Sequence, residues 1–302
     1  MTGPPRLFDR ELQRVRRARA DRLGYASFLL DRVAREAAGR LALILRDFAL
    51  AADIGTPGAA LRDALRALTS VRRLVAVDPL ASRATIASGD GVAADPEALP
   101  FAPGSFDLAV SALALHAVDD LPGALLQIRQ TLRADGLFLA ALFGGDTLTE
   151  LRQAFLAAEA ETAGGASPHV APFADLRDLG ALLQRAGFAL PVTDLDRVVV
   201  RYDSAFDLMQ DLRRMGATNT LVERARRPLG RATLLRMAAI YAERFSDADG
   251  RVRATFDIVW LSGWAPHASQ QQPLRPGSAK SRLADALNTR EIASGEKPDR
   301  LI

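Results

Sequence analysis

Three aspartates follow short apolar segments of the chain, at positions suited to holding a nucleotide-like ligand. Asp53 lies at the end of the apolar run 49–54, Asp78 ends the run 73–78, and Asp95 lies in the loop that comes next. Ligands of doubly wound sheets bind beyond the carboxyl ends of the strands, where carboxylates accept hydrogen bonds from hydroxyls and amines. Asp78 follows Asp53 by about 25 residues, a spacing typical of a ribose-binding acid. The pattern predicts that Asp78 holds a ribose and Asp95 the exocyclic amine of an adenine.

The loop after Asp53 has an incomplete glycine pattern. It reads Asp53-Ile54-Gly55-Thr56-Pro57-Gly58-Ala59. Glycines in such loops permit a sharp turn and a close approach of the backbone to the ligand. Pro57 stands where a second glycine is expected, and proline removes an N–H donor and adds bulk. Gly58 restores the turn if the loop shifts by one residue, so Gly55 and Gly58 are the candidate ligand-binding glycines.

The segment 95–145 gives the clearest account of the elements that position these residues. An acidic loop precedes an apolar strand at 106–110, then a helix, and then a second apolar strand at 136–140. The helix places Leu121, Leu125, Ile128 and Leu132 on one stripe. Gly136 is expected to take a positive φ at the turn from helix to strand. This order of elements is typical of a doubly wound α/β sheet.

The rest of the chain extends the same alternation of strand and helix. We predict an N-terminal helical arm over 1–45, a sheet domain over 46–266 and a loosely ordered tail over 267–302. Within the sheet domain, two helices at 204–250 form an insertion before a last strand at 252–260, and such an insertion would cover a pocket as a lid. The sheet is expected to be mostly parallel, with helices on both faces.

Composition narrows the classes of function. The chain has 302 residues, no cysteine and three histidines, so disulfides, thiolate metal sites and a cysteine nucleophile are excluded and no metal site is predicted. The sequence pI is about 9.7, but the formal net charge is only +3, which favours a mixed surface over a nucleic-acid groove. The arginine-rich segment 6–22 is accordingly predicted to be a solvated helix. No transmembrane run and no secretory signal is evident, so a soluble cytoplasmic protein is expected.

Several longer motifs resemble one known family. The chain is similar to class I S-adenosylmethionine-dependent methyltransferases, in the branch that contains the malonyl-carrier-protein methyltransferase of biotin synthesis. Within it, the resemblance is strongest to the mitochondrial respiratory complex I assembly factors described as arginine hydroxylases. The matching residues are Leu7-Phe8-Asp9-Arg10, 95–101, Leu113-Ala114-Leu115-His116, Asp119-Asp120-Leu121-Pro122, Phe143-Gly144-Gly145-Asp146-Thr147-Leu148, Glu150-Leu151-Arg152, Ser167-Pro168-His169, Pro172-Phe173, Leu179-Gly180, Arg185-Ala186-Gly187-Phe188, Met215-Gly216, Asn219 and Gly263-Trp264. The chain departs from the family at two places. One is Thr56-Pro57 in the glycine loop, and the other is Ala117, where the family tends to carry tryptophan after the histidine.

The resemblance implies a seven-stranded Rossmann-like methyltransferase sheet, with S-adenosylmethionine as cofactor. It also implies a protein substrate, for which a subunit of respiratory complex I is a candidate. It places Asp53 and Gly55 beside the methionine part of the cofactor, Asp78 on the ribose, and Asp95 with Ala94 on the adenine. The segment 111–116, with Leu113 at the cofactor and His116 as a candidate catalytic residue, would face the sulfonium. Gly144, Gly145 and Asp146 would belong to the substrate pocket.

The reaction stays open at this stage. Methyl transfer needs alignment and exclusion of water more than acid–base groups, so the absence of an obvious catalytic dyad does not argue against it. The hydroxylation described for the family usually needs a redox metal, and no motif of two histidines and a carboxylate is evident. The alternatives are an assembly chaperone with a degraded pocket and a malonyl-carrier-protein methyltransferase. His169 is predicted to be a loop residue, with a role at the mouth of the pocket as the less favoured alternative. A structural or surface role for His116 is as well supported as a catalytic one. Trp260 and Trp264 are predicted to be core residues.

Overall fold

The strands and helices follow the predicted order. The computed structural model describes residues 6–81, 86, 89–271 and 283–290. The strands are β1 (Ala51–Ile54), β2 (Leu74–Val77), β3 (Gly91–Val92), β4 (Phe106–Ala112), β5 (Leu132–Gly144), β6 (Ala189–Tyr202) and β7 (Val252–Trp264). The helices are α1 (Arg10–Arg22), α2 (Phe28–Ala42), α3 (Ala60–Arg66), α4 (Leu121–Thr131), α5 (Thr149–Thr162), α6 (Leu176–Arg185), α7 (Ala205–Arg214), α8 (Arg231–Phe245) and α9 (Leu283–Ala286). A 3₁₀ turn spans Leu115–Ala117.

The described strands form one seven-stranded sheet in the order β3-β2-β1-β4-β5-β7-β6. Strands β1 to β5 pair in parallel, whereas β7 lies between β5 and β6 and is antiparallel to both. The order reverses between β1 and β4, which is the point where doubly wound sheets open a crevice for ligands. The predicted doubly wound, mostly parallel sheet and its late strand after a helical insertion are therefore confirmed.

Helices cover both faces of the sheet because each one buries a single apolar stripe. On one face α4 and α6 bury side chains such as Leu125, Ile128 and Leu183. On the other face lie α2, α3, α5, α7 and α8, and Tyr241 of α8 is fully buried there. Helix starts are fixed locally: the Asp120 side chain accepts a hydrogen bond from the Gly123 amide at 2.8 Å at the N-terminus of α4.

The first residues of β5 correct one expectation about the turn from helix to strand. The residue with positive φ there is Asp135, at 63°, and not Gly136. Gly136 is required for a different reason, since a Cβ at this position would lie 2.9 Å from the Arg133 carbonyl oxygen and 3.2 Å from that of Asp107. The glycine therefore permits close packing of β5 against β4.

The N-terminal helices pack into the same body as the sheet. The apolar face of α2, including Leu30 and Val33, is buried in the core beneath α3. The described residues through His267 form one compact unit, and those from Ala268 form a second. Most of the predicted tail, 272–282 and 291–302, lies outside the described residues, and the division at residues 45 and 267 stays a prediction. No helix in the described part of the chain has the length and hydropathy needed to cross a membrane.

Candidate functional site

A cavity of about 870 Å³ opens beyond the carboxyl ends of the parallel strands. Loops that follow five strands contribute to its wall, which is where the topology of a doubly wound sheet places a ligand. The contributing residues are Gly55 and Pro57 after β1, Pro79 after β2, Asp95 and Pro96 after β3, Leu113, Ala114 and His116 after β4, and Thr147 and Leu148 after β5. Of the predicted site residues, the cavity therefore brings together Gly55, Asp95, Leu113 and His116.

Gly55 occupies the tightest point of the loop after β1. Its φ is +74°, and a Cβ there would lie 3.0 Å from Pro96 Cγ and 3.2 Å from Ala114 Cβ. The loop continues through Thr56, which is buried and accepts a hydrogen bond from the Ala112 amide at 2.9 Å. Gly58 also has a positive φ, of 64°, but does not line the cavity. The loop is thus held to β4 by Thr56, and Pro57 forms part of the cavity wall.

Asp53 lies behind this loop in the protein interior. It is 1% exposed, and its Oδ2 accepts a hydrogen bond from Arg62 Nη1 at 2.9 Å. Its Oδ1 has no hydrogen-bond partner among the described residues. Burial raises the pKa of Asp53 to about 6, against the opposing effects of the neighbouring Thr56 hydroxyl and the Arg62 charge. Asp53 supports the loop from beneath rather than forming the cavity surface.

Asp78 and Asp95 both pair with arginines of α1. Asp78 Oδ2 accepts from Arg17 Nη2 at 2.8 Å, and Asp95 Oδ1 accepts from Arg10 Nη2 at 2.5 Å. Arg14 Nη2 lies 3.5 Å from Asp95 Oδ2. The three arginines are spaced i, i+4 and i+7, so they share one face of the helix. The prediction of a solvated α1 is wrong for this face, because its arginines pair with the carboxylates in the loops after β2 and β3.

The remaining adenine-side residue, Ala94, packs against the core and does not line the cavity. The neighbouring Asp95 has a second local bond, since its Oδ1 also accepts from the Glu97 amide at 3.1 Å. Asp78 is held in the same way, with Oδ1 accepting from the Leu80 amide at 2.9 Å. Both carboxylates are therefore fixed in orientation. Asp95 Oδ1 already accepts two hydrogen bonds, so the remaining acceptor capacity of this carboxylate lies on Oδ2, whereas each oxygen of Asp78 accepts one bond and can accept another.

His116 projects from the 3₁₀ turn after β4 into an aromatic surrounding. Its ring centroid lies 4.8 Å from that of Phe143 and 5.9 Å from that of Phe173. Burial lowers the pKa of His116 to about 4, so the imidazole is neutral at pH 7. Its Nδ1 has no hydrogen-bond partner among the described residues. A neutral imidazole at the cavity wall can exchange hydrogen bonds with a ligand, but a pKa of about 4 makes it a weak base.

The lowered pKa of His116 predicts an acid-sensitive contribution to stability. The unfolded chain takes up a proton near the ordinary pKa of 6.5, whereas the folded protein resists it until about pH 4. The contribution of His116 is therefore complete above pH 6.5 and is lost as the pH falls from 6.5 towards 4. We expect urea unfolding of the wild type to lose more free energy between pH 7.5 and 5 than that of His116→Phe. Asp53 also titrates in this range but is common to both proteins, so parallel losses would contradict the prediction.

Gly144, Gly145 and Asp146, predicted for the substrate pocket, do not line the cavity. A Cβ on Gly144 would lie 2.6 Å from Val259 Cγ2, so this glycine permits close contact of β5 with β7. Asp146 is bonded to Arg197 at 2.7 Å, and Arg197 bonds in turn to the buried Asp257. This block therefore ties β5 to β6 and β7, and it places only its following residues, Thr147 and Leu148, at the cavity.

A histidine–carboxylate pair lies in the cavity wall, and sequence reasoning missed its carboxylate, Glu159. His169 Nε2 lies 2.8 Å from Glu159 Oε1, and the His169 ring stacks on Phe155 with centroids 4.0 Å apart. Burial by itself would raise the pKa of Glu159, but hydrogen bonds from His169 and Ser167 hold it below its ordinary value. His169 is a loop residue as predicted, and it also lines the cavity. Only its place within Ser167-Pro168-His169 could have indicated this.

The predicted lid segment forms a further part of the wall. Met209, Leu212 and Met215 contribute apolar surface, and the stretch 216–230 contributes polar and cationic groups. Asn219 bonds to the Pro168 carbonyl at 2.6 Å, which ties the segment to the loop that carries His169.

Trp260, predicted as core, is buried beneath the Arg40 guanidinium. Among the described residues, no group of three or more His, Asp or Glu side chains is arranged to hold a metal ion.

Comparisons with known proteins agree with this fold. A family model described as a methyltransferase domain matches residues 52–140, which span β1 to β5. The chain is 41% identical over 300 residues to the mouse mitochondrial arginine-hydroxylase NDUFAF5, an alignment covering 96% of this chain and 87% of that protein. It is 41% identical to the human protein of that name, over 90% of this chain and 81% of the relative.

More distant matches have other names. The malonyl-[acyl-carrier protein] O-methyltransferase of Laribacter hongkongensis is 41% identical over 62% of this chain and 60% of its own length. The YcgJ protein from Bacillus subtilis has a solved structure that superposes with a TM-score of 0.51 at 16% identity, covering 77% of this chain and 99% of that one. At that identity the likeness shows a common fold alone.

Proposed function

Because the chain belongs to the family of methyltransferase-fold proteins that contains the arginine hydroxylase NDUFAF5, we propose that it binds S-adenosylmethionine and modifies a protein substrate. The observation that carries the proposal is the cavity at the carboxyl edge of the sheet, with Gly55 at its point of closest approach. By analogy with the named relatives, the target is an arginine side chain of a protein, and a subunit of respiratory complex I during assembly is the proposed partner.

The residues present fit the cofactor. Gly55 lets the loop after β1 pack closely against Pro96 and Ala114, because a Cβ would lie 3.0 Å and 3.2 Å from them, and all three residues line the cavity. Asp95 holds an oriented carboxylate in the cavity wall, suited to an adenine amine. Asp78 itself does not line the cavity, but its neighbour Pro79 and its partner Arg17 do, so its carboxylate is the proposed ribose acceptor behind them. Leu113, with a positive φ of 49°, brings the backbone after β4 into the cavity wall. These residues would hold the cofactor together with the loop at Pro57.

The chain's own groups suit positioning more than acid–base catalysis. When bound, S-adenosylmethionine supplies an electrophilic methyl group on its sulfonium. His116 offers a neutral ring nitrogen to an acceptor group, while Phe143 and Phe173 exclude water around it. Glu159 and His169 provide a second pair for orienting an acceptor. Whether the product is methylated or, as the name of the relatives says, hydroxylated depends on a co-reactant. The predicted cytoplasmic location also stays a prediction.

Calorimetric titration with S-adenosylhomocysteine tests the proposal directly. We expect micromolar binding by the wild type and an affinity lower by roughly tenfold or more in Asp78→Ala, since the hydrogen bonds of an ionised acceptor contribute about 1.5–3 kcal/mol. Asp47→Ala is the matched control, because Asp47 is an exposed aspartate paired with Arg72.

Each outcome of the titration has a distinct meaning. Equal affinity in Asp78→Ala would contradict the ribose assignment. No binding to folded wild-type protein would contradict the proposed function and leave a non-catalytic assembly chaperone as the leading candidate. A modified arginine on a co-purified complex I subunit would support the proposed target.

A further inference from the structure

One end of the cavity is lined by arginines that the proposed cofactor site does not use. Arg16 comes from α1, and Arg224, Arg226 and Arg227 come from the stretch before α8. We call these four residues the arginine cluster. They are distinct from Arg10, Arg14 and Arg17, whose guanidinium groups pair with Asp78 and Asp95.

The arginine cluster has little negative charge to balance it. Its nearby carboxylate is Asp9, whose Oδ2 accepts from Arg224 at 3.0 Å and whose Oδ1 accepts from the Leu12 amide. Arg16 bonds to the carbonyl oxygen of Asn219, a neutral acceptor. Burial lowers the pKa of Arg16, and the charges of Arg19 and Arg224 lower it further. Arg226 and Arg227 form no ion pair within the described part of the chain.

The carboxylates that line the cavity do not compensate the cluster. Asp95 is engaged by Arg10 and Arg14, and Glu159 is engaged by His169 and Ser167. A mobile anion that entered the cavity would therefore meet guanidinium groups with free donors. Guanidinium binds carboxylate and phosphate through paired hydrogen bonds, which are among the stronger ones in proteins.

Apolar side chains share the cavity with this cluster. One group comes from α5, where Leu148 immediately precedes the helix and Leu151 and Phe155 belong to it. A second group is Leu212 of α7 and Met215, which follows the end of α7. A ligand that used all of these surfaces would combine an apolar part with a negatively charged end.

We propose that the arginine cluster binds an anionic group, a carboxylate or a phosphate, on an otherwise apolar portion of the acceptor substrate. This deepens the proposed function and rests on it for the identification of the ligand as the acceptor. The anion-binding step itself is independent of the cofactor. A cationic target side chain would accordingly enter the cavity accompanied by an acidic or phosphorylated neighbour.

The test uses hexyl phosphate, hexanoate and hexyltrimethylammonium as probes, titrated into the full chain at constant ionic strength. We expect one of the two anions to bind, at least about tenfold more tightly than the cation, and the preferred anion identifies the source as phosphate or carboxylate. Affinity for that anion should fall by about fivefold to tenfold in Arg226→Gln and further in the double variant with Arg227→Gln. Both residues are exposed and have no ion pair to lose, so these variants are expected to fold.

Arg35→Gln is the charge-matched control, because Arg35 is exposed on α2, does not line the cavity and donates a hydrogen bond to the Asp31 carbonyl of its own helix. Anion binding that is unchanged in the Arg226 and Arg227 variants, or equal binding of the cation, would overturn the proposal. S-adenosylhomocysteine is titrated in parallel. If the wild type binds the anion but not S-adenosylhomocysteine, the proposed function is contradicted and the anion site stands. If it binds S-adenosylhomocysteine but neither anion, the anion site is contradicted and the proposed function stands.

Discussion

Gly55→Val is expected to abolish cofactor binding, with an affinity for S-adenosylhomocysteine lower by about a hundredfold or more. Two effects act together. The φ of +74° is costly for any β-branched residue, and the new Cβ would lie 3.0 Å from Pro96 and 3.2 Å from Ala114. Pro96 and Ala114 both line the cavity, so relief of these contacts displaces its wall. The added side chain also fills space at the closest point of the loop.

The control for Gly55→Val is Gly164→Val. Gly164 also has a positive φ, of 68°, but a Cβ there has nothing within 4 Å, and the residue does not line the cavity. We expect this variant to lose some stability from the strained backbone while it keeps its affinity for S-adenosylhomocysteine. Titration calorimetry and thermal unfolding on both variants separate the two effects. Wild-type affinity in folded Gly55→Val would contradict the placement of the cofactor at this loop.

Asp257→Ala is expected to lower the free energy of unfolding by about 2–4 kcal/mol. Asp257 is 2% exposed in β7, and its carboxylate accepts from Arg197 Nε at 2.7 Å, from Arg197 Nη2 at 2.8 Å and from the Asp146 amide at 3.1 Å. The variant leaves the partly buried Asp146 amide and the Arg197 guanidinium without their acceptor, and it removes a buried side chain of β7, which lies between β5 and β6. Urea unfolding at pH 7.5 measures the loss.

The matched control for Asp257→Ala is Asp146→Ala, which removes the other carboxylate bonded to Arg197. Asp146 has a side chain that is 63% exposed, so its ion pair is solvated and should contribute less than about 1 kcal/mol. Similar losses in the two variants would show that burial does not decide the strength of this network. A large loss of cofactor affinity in folded Asp146→Ala would instead return the Gly144–Asp146 block to the ligand site.

The sheet and its loops were predictable because their signals are local. Apolar runs that end in Asp53 and Asp78, and the stripe of Leu125 and Ile128, depend on chain neighbours whose periodicity survives in the folded protein. The segment around His116, which the resemblance motifs assign to the ligand site, lies in the cavity wall. Sequence alone therefore determined the fold class and the set of loops that meet at the carboxyl edge of the sheet, whereas the role of each residue towards the cofactor stays a prediction.

Side-chain partners over long separations were decided only by the tertiary structure. The pairing of Arg17 with Asp78 depends on where α1 packs, and nothing in the arginine-rich pattern of 6–22 distinguishes a paired face from a solvated one. The Gly144–Asp146 block has the same sequence whether it lines a pocket or joins three strands. In the structure the bonds of Asp146 to Arg197 and Asp257 join it to β6 and β7. Packing also keeps His116 neutral, because burial beside Phe143 and Phe173 lowers the pKa of its imidazole. This burial cannot be deduced from the sequence around His116.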